Sequence, residues 1–122
     1  MSSPLYHLEI TCVGEFVAEY LKQDKLILFA EPVPQDIADY CAVHRPGEFS
    51  DVLLPGLAVK INNLFYRITA VGDVATANLK QLGHITLSFD GAIDAELPGM
   101  VHLCGPTPKK ILPGDQISIF SE

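Results

Sequence analysis

Apolar and polar residues alternate with a period of two in several short segments, and this alternation predicts β-strands. In HITLSFD, which begins at His84, Ile85, Leu87 and Phe89 share one face and Thr86 lies on the other. Similar runs are LYHLEITCVG, KLILFA, LAVKI, LFYRITAVG, MVHLCG and QISIF. Nine glycines and nine prolines punctuate the chain, so we expect a mainly β domain.

The turn signals favour a compact barrel or sandwich with sharp corners. Leu-Pro-Gly occurs at 54–56, 97–99 and 112–114, each time directly before a strand-like run. Proline followed by glycine suits the two central positions of a type II turn. The pair Asn62-Asn63 lies between two of the runs and predicts a tight hairpin, because asparagine tolerates positive φ.

Helical signals are few and short. PQDIADYC begins at Pro34 and has Ile37, Tyr40 and Cys41 on one helical face, while TANLKQLG ends at Gly83, a good C-terminal cap. EFVAEYLKQD fits either a helix or a loop. We therefore expect one or two short helices beside the strands.

Length and composition indicate one folded domain, residues 1–122. The formal net charge of -7 makes a nucleic-acid partner unlikely but permits a basic protein partner. The N-terminus lacks the pattern of a signal peptide, and no apolar run approaches the ~20 residues that span a bilayer. Three cysteines at irregular spacing predict reduced thiols, so we expect a soluble cytoplasmic protein.

The histidines are the candidates for chemistry. His7 is expected to face solvent, His102 to be a hydrogen-bonded core residue, and His84 to lie on the polar face of its strand. His44 differs, because it follows the apolar run 41–43 and precedes a Pro-Gly pair, which predicts an exposed position at a turn. A neutral imidazole there is a competent nucleophile.

Phosphoryl transfer is one reaction that suits His44. Its catalysis is mainly positioning and charge stabilisation, which Arg45 and the backbone N–H of Gly47 could supply. Two other functions use the same residues: Cys41 and His44 could form half of a metal site, or a thiol nucleophile with its base. From the residues alone, the chain is predicted to be a small β domain with one candidate reactive histidine.

Four longer segments then indicate a family. They are YCAVHRPGE (40–48), LLPGLAVKI (53–61), ITAVGDVATANLKQLGHITLSFDG (68–91) and LPGMVHLCGPTP (97–108). In this order they closely resemble the glucitol/sorbitol-specific enzyme IIA component of the bacterial phosphoenolpyruvate-dependent sugar phosphotransferase system. The resemblance extends from about Tyr6 to Phe120, and it implies a small closed β-barrel.

The resemblance also implies a function. In such proteins the histidine that matches His44 accepts a phosphoryl group from phospho-HPr on Nε2 and passes it to the cognate IIB component during sugar uptake. No cofactor and no metal is implied. We further expect His84 to be the histidine nearest His44 and to donate to the phosphoryl oxygens, with Arg45 as a charge stabiliser. Those two roles are argued from chemistry, not carried over from the family.

The alternative is a non-catalytic β-barrel binding or regulatory module that retains the fold without phosphoryl transfer. If His44 is exposed, a His44→Ala substitution should leave stability nearly unchanged and abolish phosphoryl uptake. Exposed strand edges of a small β domain would allow a homodimer.

Overall fold

The structure is a computed structural model and describes residues 4–121. The strands are β1 (Tyr6–Val13), β2 (Lys25–Ala30), β3 (Cys41–His44), β4 (Ala58–Ile61), β5 (Leu64–Val71), β6 (Ile85–Ser88), β7 (Met100–Cys104) and β8 (Gln116–Phe120). The helices are α1 (Val17–Leu21), α2 (Gln35–Ala38) and α3 (Ala75–Leu82). Each of the seven strand-like runs forms a strand, and the described part contains three short helices where one or two were expected.

The eight strands close into a barrel in the order β1-β3-β2-β6-β7-β5-β4-β8. The mainly β class and the closed barrel are thus both confirmed. The pairs β2·β3 and β6·β7 are parallel, and the other six pairs are antiparallel. Because the ring is closed, the barrel has no open strand edge. The reason given for a homodimer, pairing of exposed edges, therefore does not apply to this fold.

The barrel interior is the hydrophobic core. In β1, Tyr6, Leu8 and Ile10 are buried while His7 is exposed, as period-two alternation requires. Full burial of one large apolar side chain contributes roughly 1.5–3 kcal/mol relative to exposure. The inward faces of the other strands extend this cluster, so the core fixes which side of each strand faces solvent.

β3 is the strand that the sequence did not predict. The sequence predicts a short helix up to Cys41 and a turn beside His44. All four residues of β3 are buried, so the segment shows no alternation. A short apolar run of this kind cannot be assigned to helix or strand from periodicity alone. A helix is present as predicted but is shorter: α2 ends at Ala38, so Tyr40 and Cys41 lie beyond it and do not share a helical face with Ile37.

The predicted turns are present, with one difference in type. The Leu-Pro-Gly copies each close a turn in which the N–H of the residue after glycine donates to the leucine oxygen. Gly56 and Gly114 have φ of 99° and 94°, as a type II turn requires, whereas Gly99 has no positive φ. Asn62 has a φ of 52° in the β4–β5 hairpin, which confirms the tight turn.

Helix α3 brings a backbone carbonyl to the functional region. It packs on the core through Ala75 and Leu79 and ends at Gly83, where φ is 62°. The N–H of Gly83 donates to the oxygen of Leu79 at 3.0 Å, a left-handed C-terminal cap. The chain then enters β6, whose Ile85 pairs with Leu28 of β2. No helix within residues 4–121 is long and apolar enough to span a membrane.

Candidate functional site

The imidazole of His44 is fully buried at the end of β3. Its Nδ1 lies 2.9 Å from the carbonyl oxygen of Arg45, and its Nε2 lies 2.8 Å from the carbonyl oxygen of Gly83. The prediction of an exposed ring at a turn is therefore wrong. The strand extends through His44, and the segment that joins α3 to β6 covers the ring.

The backbone of His44 is fixed from both sides. It pairs with Ile10 of β1 and with Ala30 of β2. The N–H of Glu31 donates to the His44 oxygen at 2.8 Å. Since hydrogen bonds reach this residue from both neighbouring strands, the position from which the ring projects is defined by the barrel itself.

The segment after His44 is anchored as well. Phe49 is buried and meets the ring of Tyr6 edge to face, with centroids 5.8 Å apart. Further along, the N–H of Leu53 donates to Oγ1 of Thr76 on α3 at 3.1 Å. A Cβ at Gly47 would lie 3.1 Å from the Tyr6 ring, so this approach suits glycine. The segment of residues 45–53 is therefore held against both the core and α3.

The two carbonyl oxygens around His44 constrain its proton. A carbonyl oxygen only accepts, and a neutral imidazole carries one N–H. One of the two contacts therefore lacks a hydrogen whenever the ring is neutral, whereas a doubly protonated ring donates to both. If the proton is on Nδ1, the lone pair of Nε2 faces the oxygen of Gly83.

A cleft of about 280 Å³ opens beside this histidine. Its lining residues are Phe29, Ala30, Glu31, Pro32, Pro46, Gly47, Lys80, Gln81, Leu82 and Gly83. All three lining segments adjoin His44: Ala30 pairs with it, Pro46 and Gly47 follow it, and Gly83 contacts its ring. The cleft is therefore separated from the imidazole mainly by the Gly83 segment.

His84 lies one residue beyond the contact with His44. Its ring is half-buried and stacks on Phe29, with centroids 4.5 Å apart, and its Nδ1 donates to the oxygen of Leu28 at 3.0 Å. No hydrogen bond joins the rings of His84 and His44 within residues 4–121. With Nδ1 engaged, Nε2 of His84 could donate to a phosphoryl oxygen only if the ring were protonated. Its role stays a prediction.

Arg45 reaches His44 through its backbone. Its carbonyl oxygen contacts Nδ1, while its side chain is exposed and does not line the cleft. Its role as a charge stabiliser stays a prediction, for which the structure supplies no side-chain contact. The basic residue that does line the cleft is Lys80, which the sequence did not single out. No local pattern marks Lys80, because its proximity to His44 depends on barrel closure.

His102 is a structural histidine, as predicted. It is fully buried, its Nε2 accepts the N–H of Glu96 at 3.1 Å, and its Nδ1 donates to Oδ1 of Asp90 at 2.8 Å. Both nitrogens are thus satisfied in one neutral tautomer. Burial raises the pKa of Asp90, but hydrogen bonds from His102, Ala92 and Ser88 outweigh burial, lowering the pKa to about 2.

The two alternative chemistries at Cys41 gain no support. Cys41 is buried, and burial raises the pKa of its thiol, which disfavours the thiolate that a nucleophile needs. In the described range, no group of three or more His, Cys, Asp or Glu side chains could hold a metal ion.

These features define a class of protein: a small closed β-barrel with one histidine held under a cleft. The same fold occurs in the crystal structure of the PTS system IIA component from Enterococcus faecalis V583, with a TM-score of 0.79 over 94% of this chain and 99% of that chain. The sequence identity is 24%, so this match establishes the fold.

Sequence comparison identifies the family within that class. Residues 5–118 match the family model for the PTS system glucitol/sorbitol-specific IIA component. The glucitol/sorbitol-specific EIIA components of Shigella flexneri and Escherichia coli K12 are each 43% identical over 117 residues, which cover 96% of this chain and 95% of theirs. The chain therefore belongs to the glucitol/sorbitol-specific IIA family of the sugar phosphotransferase system, as the resemblance predicted.

Proposed function

We propose that this protein is a phosphoryl carrier that receives its phosphoryl group from phospho-HPr on His44 and delivers it to a glucitol/sorbitol-specific IIB component. Family membership supports this route of phosphoryl transfer, and the position of His44 beside the cleft supports His44 as the residue that carries the group. The proposal assigns the protein to the cytoplasmic side of the membrane, where phospho-HPr is found. The particular sugar alcohol is inferred from the family, and related hexitols are compatible with the same carrier.

The first chemical requirement is a nucleophilic nitrogen. A proton on Nδ1 that is donated to the Arg45 oxygen leaves the lone pair on Nε2, the nitrogen next to Gly83, which lines the cleft. A bond forms between Nε2 and phosphorus as the bond between phosphorus and the donor breaks. The second transfer reverses these roles: the Nε2–P bond breaks and the phosphoryl group leaves for the IIB component.

The second requirement is access. The oxygen of Gly83 lies 2.8 Å from Nε2, where a phosphoryl group would have to bond. The Gly83 carbonyl must therefore withdraw before transfer, and the cleft side of the ring is the direction of approach. The bond between Nδ1 and the Arg45 oxygen lies on the opposite nitrogen, so this opening does not require it to break.

A non-catalytic barrel remains the second candidate, and one observation favours it. A fully buried imidazole whose nitrogens both face backbone carbonyls is also what a purely structural histidine would show. The two candidates differ in what happens when a phosphoryl donor is present, and this difference defines the experiment.

The test is phosphorylation in a defined mixture. The protein is incubated with phosphoenolpyruvate, enzyme I and HPr, its intact mass is recorded, and the modified peptide is mapped. We expect the mass gain of one phosphoryl group, labile in acid, on His44. A His7→Asn variant should be modified as the wild type is, and a His44→Asn variant should not.

The opposite outcome is equally clear. If HPr becomes phosphorylated in the same tube while this protein gains no mass, the carrier function is wrong. A gain that maps to His84 instead would retain the carrier function but overturn the assignment of His44.

A further inference from the structure

Among the described residues that line the cleft beside His44, Lys80 is the one of basic type. It is exposed in the last turn of α3, and within residues 4–121 its ammonium group takes part in no ion pair or side-chain hydrogen bond. It is thus available to a ligand in the cleft. An unpaired cation at this position is not required by the packing of α3, which buries Ala75 and Leu79.

Lys80 and the carbonyl that contacts His44 both belong to the C-terminal end of α3. Lys80 lies in the last turn of the helix, and Gly83 is its left-handed C-terminal cap. The carbonyl of Gly83 contacts Nε2 of His44, and both residues line the cleft. A group that replaced the Gly83 oxygen at Nε2 would therefore enter the space that Lys80 borders.

The rest of the cleft is poorly suited to negative charge. The Gly83 carbonyl presents a partial negative charge, and Glu31 is a further lining residue, whose carboxylate accepts a hydrogen bond from Thr11 at 3.0 Å. The phosphoryl group carries negative charge on three oxygens during transfer. A positive group is needed to offset these negative charges, and Arg45 is not among the residues that line the cleft.

We propose that the Lys80 ammonium binds the phosphoryl oxygens during transfer to and from Nε2 of His44, and so is a catalytic residue. This inference rests on the proposed carrier function. The Nε2–P bond forms as the donor's bond to phosphorus breaks, and Lys80 keeps its proton throughout. Its contribution is electrostatic: it stabilises charge that develops in the transition state.

The test uses two phosphoryl donors of very different size. Wild type, Lys80→Gln and Lys80→Arg are phosphorylated either by phospho-HPr or by phosphoramidate, a small donor that needs no docking surface. Lys80→Gln should slow the reaction by about tenfold or more with both donors. Lys80→Arg should recover most of the rate, because it keeps the positive charge.

Lys109→Gln is the matched control. Lys109 is an exposed lysine outside the cleft, so the variant makes the same change in net charge. It should be phosphorylated at the wild-type rate. Equal thermal stability of the two glutamine variants excludes a folding effect, since both side chains are exposed.

Each result has a distinct meaning. Slowing by Lys80→Gln with phospho-HPr alone would make Lys80 a docking residue and overturn the inference, as would a wild-type rate with both donors. In either case wild type is still phosphorylated, so the carrier function stands. If wild type accepts no phosphoryl group from either donor, the carrier function itself fails and the inference fails with it.

Discussion

His44 combines full burial with two carbonyl neighbours, and this combination determines what its loss would cost. His44→Ala removes the ring from a packed position and takes the imidazole donor away from the carbonyl oxygens of Arg45 and Gly83, of which a neutral ring serves one. We expect the free energy of unfolding to fall by about 2–4 kcal/mol, from the void and the lost hydrogen bonding. Denaturant unfolding measures this fall, with the exposed His7→Ala expected to change stability by about 1 kcal/mol or less.

This expectation replaces the one that followed from an exposed ring. A His44→Ala protein of unchanged stability would show that the ring is not packed as described. A loss of stability, however, no longer distinguishes a carrier from a purely structural barrel, because a buried histidine destabilises on removal in both. Phosphoryl uptake alone separates the two functions.

Asp90 makes the free energy of unfolding depend on pH in the acid range. Its pKa is about 2 in the folded protein against an ordinary value of 3.8, so folding favours the carboxylate. The stabilisation is complete above about pH 4 and is lost as the pH falls from about 4 to about 2. Asp90→Asn should therefore be less stable than wild type near neutral pH, and the difference should shrink across that acid range.

The measurement is a series of unfolding curves between about pH 6 and pH 2, the range in which this linkage acts. Asp94→Asn is the reference, because Asp94 is also exposed and accepts no hydrogen bond from the described residues. A difference between wild type and Asp90→Asn that stays constant with pH would contradict the pairing with His102.

At the scale of elements, the junction of α3 and β6 is the most constrained turn near the site. Gly83 has a φ of 62°, and a Cβ there would lie 2.5 Å from Cβ of Ala30 and 2.9 Å from Cε1 of His44. Gly83→Ala should therefore lower stability by more than the ~1 kcal/mol that a left-handed non-glycine residue costs. It should also move the imidazole, which the chemical shifts of the His44 ring report.

Gly91 is a matched control for this substitution. Its φ is 64°, so an alanine there meets the same backbone strain, but the nearest atom to its Cβ would be 4.0 Å away. The stability difference between Gly83→Ala and Gly91→Ala isolates the steric contact. Equal costs for the two variants would show that the α3 end does not press on the His44 ring.

A helix or strand could be predicted from the sequence when the residues that indicate it lie within the element or directly beside it. Seven strands were predictable because their alternation or their turn signals lie within the run itself, and α3 was predictable because Gly83 marks its end. β3 was not, because all four of its residues are buried and the run therefore shows no alternation. His44 is the last residue of β3, so its burial could not be predicted without predicting this strand.

The same holds for the candidate site. His44 was singled out by its position between an apolar run and a Pro-Gly pair, and the resemblance then supplied its carrier role. The Gly83 carbonyl that contacts its ring, and Lys80 in the adjoining cleft, lie more than thirty residues later in the chain. Contacts of this kind follow from the strand order, which no local sequence pattern specifies.

At the scale of the whole molecule, one continuous core supports every strand. Leu103 of β7 is fully buried and pairs through its backbone with Ile68 of β5. Leu103→Ala should lower the free energy of unfolding by about 2–5 kcal/mol. The exposed Leu97→Ala should change it by about 0.5 kcal/mol or less, and similar losses for the two would contradict the described core.

The pairing of β1 with β8 has a consequence for connectivity. Tyr6 lies opposite Ile119, and the N–H of Leu5 donates to the Ile119 oxygen at 2.7 Å, so the first and last strands are immediate neighbours. A short linker could therefore join them, and the chain could be opened instead near Ile93, which is 84% exposed in a long connection between β6 and β7. Such a circular permutant would keep all eight strand pairs and the surroundings of His44. The barrel requires particular strands to be neighbours. It does not require the strands to follow one another along the chain in the present order.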